Sequence, residues 1–265
     1  MTLDKPYYRI MRPYYSVMPS FEGDDYDYQE DEDNYDDDYY NYMLDNRYCS
    51  ERSSLCRAYR IIQDDLEKLF DYIEPCNKNK KAYSHRTFEL LLRGATEVEA
   101  NCKGILKANG YTIIPPDRKM NITDYHKVEQ ATKLSEYEVR LKCWHPNPLV
   151  LKPFDNWRDT HSLSWYQAYN DAKHNRDTNF HKSCLLNTVT CIAGLFCLLY
   201  SQFEYQFVNP YQITTTNTKD KEGMMGFNGV IFTIKPPQTW TNSEKYKFNW
   251  ESLSGSSSPY NQFRF

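Results

Sequence analysis

The chain has 265 residues and a formal net charge of −4, and 40% of its residues are hydrophobic. A chain of this length can bury a large core in one domain, with or without appendages. Its start has no apolar stretch typical of a signal peptide, and its eight cysteines show no C-x-x-C spacing. We therefore expect a cytoplasmic protein with reduced thiols, without a metal site or a cofactor.

The acidic residues are concentrated near the start of the chain. Residues 22–45 contain twelve of them and no Lys or Arg, so the other 241 residues carry a net charge of +8. We interpret residues 1–48 as an acidic, tyrosine-rich tail that is disordered or docked on the basic body. A basic body suits a polyanionic ligand. Three interpretations of residues 22–45 stay open. The run is solvated without a defined partner, or it faces a partner protein, or it mimics nucleic acid and occupies a basic cleft of the body.

Two long amphipathic helices are predicted after the tail, over residues 50–74 and 85–108. Both have apolar residues at three- and four-residue spacing. Pro75 ends the first helix, and Asn109-Gly110 ends the second. Together with the later helices, they define a predicted helical domain over residues 49–206.

The middle of the chain is predicted to be mixed. A short helix begins at Thr123 and runs to about residue 134. Residues 136–144 alternate apolar and charged side chains, as a strand does. Three prolines favour an irregular connection over residues 145–157, and Ser162 or Ser164 caps a helix that ends near residue 174.

The most apolar stretch of the chain follows. A helix capped by Asp177 or Thr178 is predicted to run to about Phe203 and to be apolar on most sides. It is long enough to span a membrane, but it includes polar residues such as Asn187, so we interpret it as a buried core helix. Residues 207–265 contain β-prone pieces between Gly and Pro residues and are predicted to form a small β appendage.

A charged motif marks the start of this apolar helix. Arg176 and His181 are separated by the four residues Asp177-Thr178-Asn179-Phe180. With Asp177 as the cap, Arg176 and His181 would lie at the positive end of the helix dipole, which favours an anion such as phosphate. The same location favours neutral imidazole, which can act as a base. A guanidinium can hold phosphate oxygens in a bidentate way.

This motif resembles the hallmark of the HEPN superfamily, the higher eukaryotes and prokaryotes nucleotide-binding domains. These helical bundles carry an Arg, four to six residues and a His, commonly with a polar residue just after the Arg, and Asp177 fills that position. The order of helices over residues 50–205 is also similar, and the run from Trp165 to Asn187 looks like that of uncharacterised bacterial HEPN-like proteins. The resemblance implies a mainly α fold, a HEPN-like helical bundle, to which the small C-terminal β appendage and the acidic N-terminal tail are added.

For function, the resemblance implies metal-independent RNA cleavage at a homodimer interface, where two copies form one composite site. His181 would exchange protons with the ribose 2′-hydroxyl or the leaving oxygen, and Arg176 would stabilise the charge at phosphorus. Asp177 would orient Arg176. Four further residues are candidates for binding the RNA substrate, of which His174 could also complete the acid/base pair: Asn170, Lys173, His174 and Asn179.

Two functions remain open at this point. The first is a HEPN-type endoribonuclease, a toxin or a phage-defence effector, with an antitoxin or a defence complex as partner and no membrane association. The second is a non-catalytic module of the same type that binds nucleotide, RNA or a protein partner. Ser183 stands where some HEPN toxins carry a tyrosine that a partner nucleotidyltransferase modifies, so inactivation by that route is not expected. In the simplest alternative, Arg176 and His181 only cap and solvate a helix end.

Overall fold

Four long helices form the body of the protein. The computed structural model describes residues 2–15, 40–208 and 217–265, and about half of these residues are helical. The long helices are α1 (Arg52–Phe70), α2 (His85–Ala108), α3 (Ser164–His174) and α4 (Leu185–Phe203). Shorter α- and 3-10-helical turns occur at Asn41–Leu44, Asn77–Asn79, Ile122–Tyr125, His126–Val128, Glu129–Thr132, Leu134–Glu136, Asp155–Arg158, Arg176–Asn179, Phe180–Lys182, Glu204–Phe207, Asn242–Glu244 and Trp250–Ser254.

Helix α4 is the centre of the core. It packs against α1, α2 and α3, most extensively against α2. The segment Leu185–Phe207 is long and apolar enough to cross a membrane by length and composition, but 83% of its most apolar window is buried inside the protein. A helix that is apolar on most sides buries most of its surface against neighbouring elements. In this structure α4 is a core helix.

Helix α2 has the bounds that the sequence predicts. Ser84 caps it, because the Ser84 hydroxyl accepts a hydrogen bond from the Thr87 N–H at 3.2 Å and the Thr87 hydroxyl accepts one from the Ser84 N–H at 2.8 Å. This reciprocal pair satisfies two donors that a helix start leaves open. Gly110, in the left-handed conformation at φ 74°, follows its C-terminal cap.

The start of α4 differs from the prediction. The helix begins at Leu185 and not at Asp177 or Thr178. The Leu185 N–H donates to the Ala82 carbonyl at 2.8 Å and the Leu186 N–H to the Lys80 carbonyl at 3.1 Å. These contacts with the loop before α2 hold Cys184 in an extended conformation, so the preceding residues form two separate short turns.

A five-stranded antiparallel sheet packs beside the helices. Its order is β2-β1-β5-β4-β3, with β1 at Glu138–Leu141, β2 at Leu149–Leu151, β3 at Asn217–Lys219, β4 at Met225–Phe227 and β5 at Phe232–Lys235. Val139 of β1 lies opposite Leu151 of β2 and Ile234 of β5. The predicted strand within residues 136–144 and the predicted C-terminal β appendage are both present, and β1 joins them in one sheet.

One predicted irregular stretch contains a strand. Residues 149–151 form β2, although we expected residues 145–157 to have no regular structure. Pro146, Pro148 and Pro153 all lie outside the three paired residues. Because β2 is an edge strand, it forms backbone hydrogen bonds with β1 only, and prolines beyond its ends do not interrupt that pairing.

The two ends of the chain are packed together. The Leu3 N–H donates to the Lys245 carbonyl at 3.0 Å, and the Asn261 N–H donates to the Pro6 carbonyl at 2.8 Å. Ile10 and Tyr42 have no exposed surface. The described parts of the predicted tail, residues 2–15 and 40–48, therefore contribute to the core, while most of the acidic run lies outside the described residues.

Candidate functional site

The Arg176–His181 motif lies in two short turns before α4. Arg176, Asp177 and Asn179 belong to the turn Arg176–Asn179, and His181 belongs to the next turn, Phe180–Lys182. The first turn is preceded by Asn175 and has no side-chain cap. The prediction that Asp177 caps the long helix is therefore wrong, because the chain is redirected at Ser183 and Cys184 before α4 begins.

The motif consequently does not use the dipole of α4 as predicted. Two of the first N–H groups of α4, those of Leu185 and Leu186, already donate to the carbonyls of Ala82 and Lys80. Those donors cannot hold a phosphate. An anion at the motif would have to be held by groups other than these two N–H donors.

Aromatic rings bring the motif next to the start of α2. The Phe180 ring lies 4.9 Å from the His85 ring and 5.7 Å from the Phe88 ring, centroid to centroid. The Arg176 guanidinium carbon lies 5.9 Å from the Phe88 ring centroid. Arg176 and His85 thus flank the same pair of rings, and His181 is the immediate chain neighbour of Phe180.

The surface around these rings is basic and open to solvent. Arg176, His181 and His85 are exposed, and none of them forms an ion pair with another residue in the described ranges. The loop before α2 adds Lys80 and Lys81. We call these five residues the basic face. Tyr83, which is 51% exposed and stacks edge-on against Phe180 at 5.5 Å, lies beside it.

The candidate substrate-binding residues are only partly connected to the motif. Lys173 donates to the Tyr169 hydroxyl at 2.9 Å, and this bond raises the pKa of Lys173. It is thereby directed along its own helix rather than toward Arg176. His174 is exposed, whereas Asn170 and Asn179 are half-buried, and no described side-chain contact joins any of these three to Arg176 or His181.

An ion pair holds the turn of His181 against α3. The Lys182 ammonium lies 2.7 Å from an oxygen of Asp171, and this hydrogen bond lowers the pKa of the Asp171 carboxyl. Gln167 donates to the other Asp171 oxygen, also at 2.7 Å. This arrangement positions the backbone on which His181 lies.

His85 was missed by reasoning from the sequence. The sequence does place His85 at the predicted start of α2, directly after Ser84. It is distant in sequence from Arg176, however, and only the packing of Phe180 shows that the two are neighbours.

The basic face has the groups needed for phosphodiester chemistry without a metal. Imidazoles exchange protons near neutral pH, a guanidinium stabilises phosphate charge, and an exposed tyrosine can stack on a base. Among the residues that the structure describes, no three His, Cys, Asp or Glu side chains are grouped to hold a metal ion.

Comparison with known proteins gives no match. No protein-family model matches the chain, and no curated protein or solved structure does. The resemblance of the Arg176–His181 motif to the HEPN superfamily stays a sequence-based prediction. Function is inferred from the chain's own residues.

Proposed function

We propose that the chain is a metal-independent endoribonuclease of HEPN type that acts at the basic face. The observation that supports this most is the placement of Arg176 and His85 on the ring pair Phe88 and Phe180, with His181 adjacent in the chain. Two imidazoles and a guanidinium supply an acid, a base and a phosphate-binding group.

In this proposal one histidine removes the proton of a ribose 2′-hydroxyl. The resulting oxygen attacks the adjacent phosphorus, and Arg176 stabilises the negative charge that builds on the non-bridging oxygens. The second histidine protonates the 5′-oxygen as the P–O bond breaks. The products are a 2′,3′-cyclic phosphate and a 5′-hydroxyl. We assign His181 and His85 to these two proton transfers.

A second copy of the chain would complete the site. Arg176 and His181 are exposed in a single chain, and a guanidinium stabilises developing charge far better where water is excluded. A homodimer that pairs two basic faces would exclude water and place two motifs together. Light scattering of the purified protein, with and without the substitution Arg176→Glu, tests this arrangement.

The experiment that tests the activity uses purified full-length protein, labelled single-stranded RNA and EDTA. We expect Arg176→Ala and His181→Ala each to lower the cleavage rate by about 10²–10³-fold, and His85→Ala to lower it by a similar factor. Arg86→Ala is the matched control, because Arg86 is exposed and pairs with Glu89 at 3.0 Å. If Arg176→Ala, His181→Ala and His85→Ala all cleave the RNA as fast as the wild type does, the proposal is refuted.

The second candidate is a non-catalytic module that binds RNA, nucleotide or a protein partner. The exposure of His181, without a described hydrogen bond that orients its ring, favours it. It predicts that RNA binds without being cut, and that Arg176→Ala weakens this binding. As a toxin or phage-defence effector, the nuclease would instead arrest growth on expression, and an antitoxin or defence-complex partner would relieve that arrest.

A further inference from the structure

A large cavity lies at the other end of α4 from the basic face. Its volume is about 870 Å³, within the range of pockets that bind small molecules. Helix α4 has 19 residues and so spans about 28 Å. The cavity is formed by Tyr200 and Glu204 at its C-terminal end, together with parts of the sheet and both ends of the chain.

Glu204 supplies a buried hydrogen-bond acceptor in this cavity. Its Oε2 is buried and has no hydrogen-bond partner among the described residues, while the Tyr200 hydroxyl lies 3.4 Å from Oε1. An unsatisfied buried acceptor is costly and needs explanation. Glu204 also has φ 47°, a conformation that side chains other than glycine rarely adopt and that is found at functional sites.

The walls of the cavity are aromatic. Seven aromatic residues line it, and they come from the region before α1, from the sheet region, from α4 and from the C-terminal segment. Flat walls of this kind suit a planar aromatic ligand, since every heterocyclic base has a face that can stack. The seven residues are Tyr14, Tyr40, Tyr137, Tyr200, Trp240, Phe248 and Trp250.

The C-terminal segment adds positive charge. Lys245 and Lys247 line the cavity, and neither forms an ion pair within the described ranges. Lys247 is exposed and lies 5.5 Å from the Tyr15 ring, while Lys245 is half-buried. Two lysines on one short segment suit a phosphate group.

We propose that this cavity binds a nucleotide that carries guanine, with the base between the aromatic walls, Glu204 on its edge and the phosphate at Lys245 and Lys247. Guanine presents two adjacent N–H donors, N1–H and N2–H, and a carboxylate accepts both at once. The orphaned Oε2 of Glu204 is thereby satisfied. Adenine presents one donor beside an acceptor on the corresponding edge, so Glu204 discriminates against it in the ionised form, which the carboxyl adopts as pH rises through its pKa of about 7.

This site is separate from the basic face and does not depend on RNA cleavage there. Its ligand is either a free guanine nucleotide or a guanosine within single-stranded RNA, because the two share the base and the phosphate. Titration calorimetry with GMP, and with a uridine hexanucleotide carrying one guanosine, distinguishes these sources. Binding of GMP alone identifies a free nucleotide, and binding of the oligonucleotide alone identifies RNA; either supports the site.

Calorimetry on full-length variants tests the assigned contacts. We expect Glu204→Gln to weaken GMP binding by about tenfold or more, because an amide places a donor against a guanine donor. The double substitution of Lys245 and Lys247 by Ala should reduce GMP to the affinity of guanosine. Lys221→Ala, at an exposed lysine outside the cavity, should leave binding unchanged.

Three results would overturn the proposal. The first is that neither GMP nor the guanosine oligonucleotide binds the wild-type protein at millimolar concentration. The second is that AMP binds as tightly as GMP. The third is that Glu204→Gln binds GMP as the wild type does, with thermal unfolding confirming that the variant is folded. The lysine variant keeps the phosphate contact testable if Glu204→Gln does not fold.

Discussion

Glu204 is a buried carboxyl that makes the stability of the protein depend on pH. Burial raises the pKa of its carboxyl to about 7, from an ordinary value of 4.5, although hydrogen bonds from Tyr40 and Tyr200 oppose that shift. The folded protein therefore holds a proton on Glu204 over a pH range in which the unfolded chain has released it. The stabilising form is the neutral acid, and it is lost as pH rises toward 7.

We predict that Glu204→Gln stabilises the protein at pH 8 and changes its stability little at pH 4.5. A shift of this size corresponds to about 3 kcal/mol as an upper value, since part of the residue is exposed even though Oε2 is buried. Urea denaturation of both proteins at the two pH values measures the difference. Comparing the variant with the wild type cancels the other titrating groups, and a difference that does not change with pH would contradict the prediction.

A second residue-scale feature is the buried guanidinium of Arg9. Its Nε donates to Gln202 at 2.9 Å, and Gln202 in turn donates to Asn101 of α2 at 3.0 Å. Arg9 itself is only 6% exposed. Charge-assisted hydrogen bonds of this kind are stronger than neutral ones and are costly to break when buried. They connect the N-terminal segment to α2 and α4.

At the scale of elements, α2 makes room for Arg9 at Gly104. A Cβ at position 104 would overlap the Arg9 guanidinium. We predict that Gly104→Ala lowers the free energy of unfolding by about 1–3 kcal/mol, even though alanine favours a helix by about 1 kcal/mol. The matched control is Gly255→Ala, because nothing lies within 4 Å of a Cβ there. Urea denaturation measures the free energy of unfolding of both variants. A value for Gly104→Ala equal to that of the wild type would contradict the assigned contact.

The helices were predicted well where local residues decide them. Helix α2 was predicted from its apolar spacing and from Asn109-Gly110 after it, and the structure adds the cap at Ser84. The start of α4 could not be predicted in this way, because the carbonyls of Lys80 and Ala82, about 100 residues earlier, bind its first N–H groups. Local signals favoured Asp177, and tertiary hydrogen bonds prevailed.

The candidate sites also differ in whether local residues or tertiary packing define them. Arg176 and His181 could be selected from their spacing, but their neighbour His85 is revealed only by the packing of Phe180. The cavity at Glu204 could not be predicted at all. Its walls come from residues 11–14, 40, 137, 200, 204, 225, 236–238, 240, 245 and 247–251, which no local pattern connects.

At the scale of the whole molecule, the two ends of the chain form part of one core with the helices. The Tyr246 hydroxyl donates to the Ile10 carbonyl at 2.9 Å, and the Tyr260 hydroxyl donates to the Tyr42 carbonyl at 2.7 Å. Residues 2–15 have no clear hydrophobic period, so their burial was not evident from the sequence. Consequently the acidic run is enclosed, in sequence, by residues that belong to the core.

This arrangement changes how the acidic run should be tested. Removing residues 1–45 would delete Ile10, Tyr42 and Met43, each without exposed surface, and loss of large buried side chains costs about 2–5 kcal/mol apiece. We predict that this deletion unfolds the protein or lowers its melting temperature by more than 10 °C, as circular dichroism would show. A melting temperature equal to that of the full chain would contradict the assigned packing.

Neutralising the acidic run keeps the core intact and isolates its charge. Residues 22–38 contain eleven acids, and replacing each Asp by Asn and each Glu by Gln preserves chain length and the described contacts. If the run competes with RNA for the basic face, these substitutions should tighten RNA binding by about tenfold at low salt, and less at 0.5 M salt, where charges are screened within a few ångströms. Combining them with Arg176→Ala should abolish most of the gain. If the neutralised variant binds RNA with the same affinity as the wild type at every salt concentration, the run faces solvent or a partner protein instead.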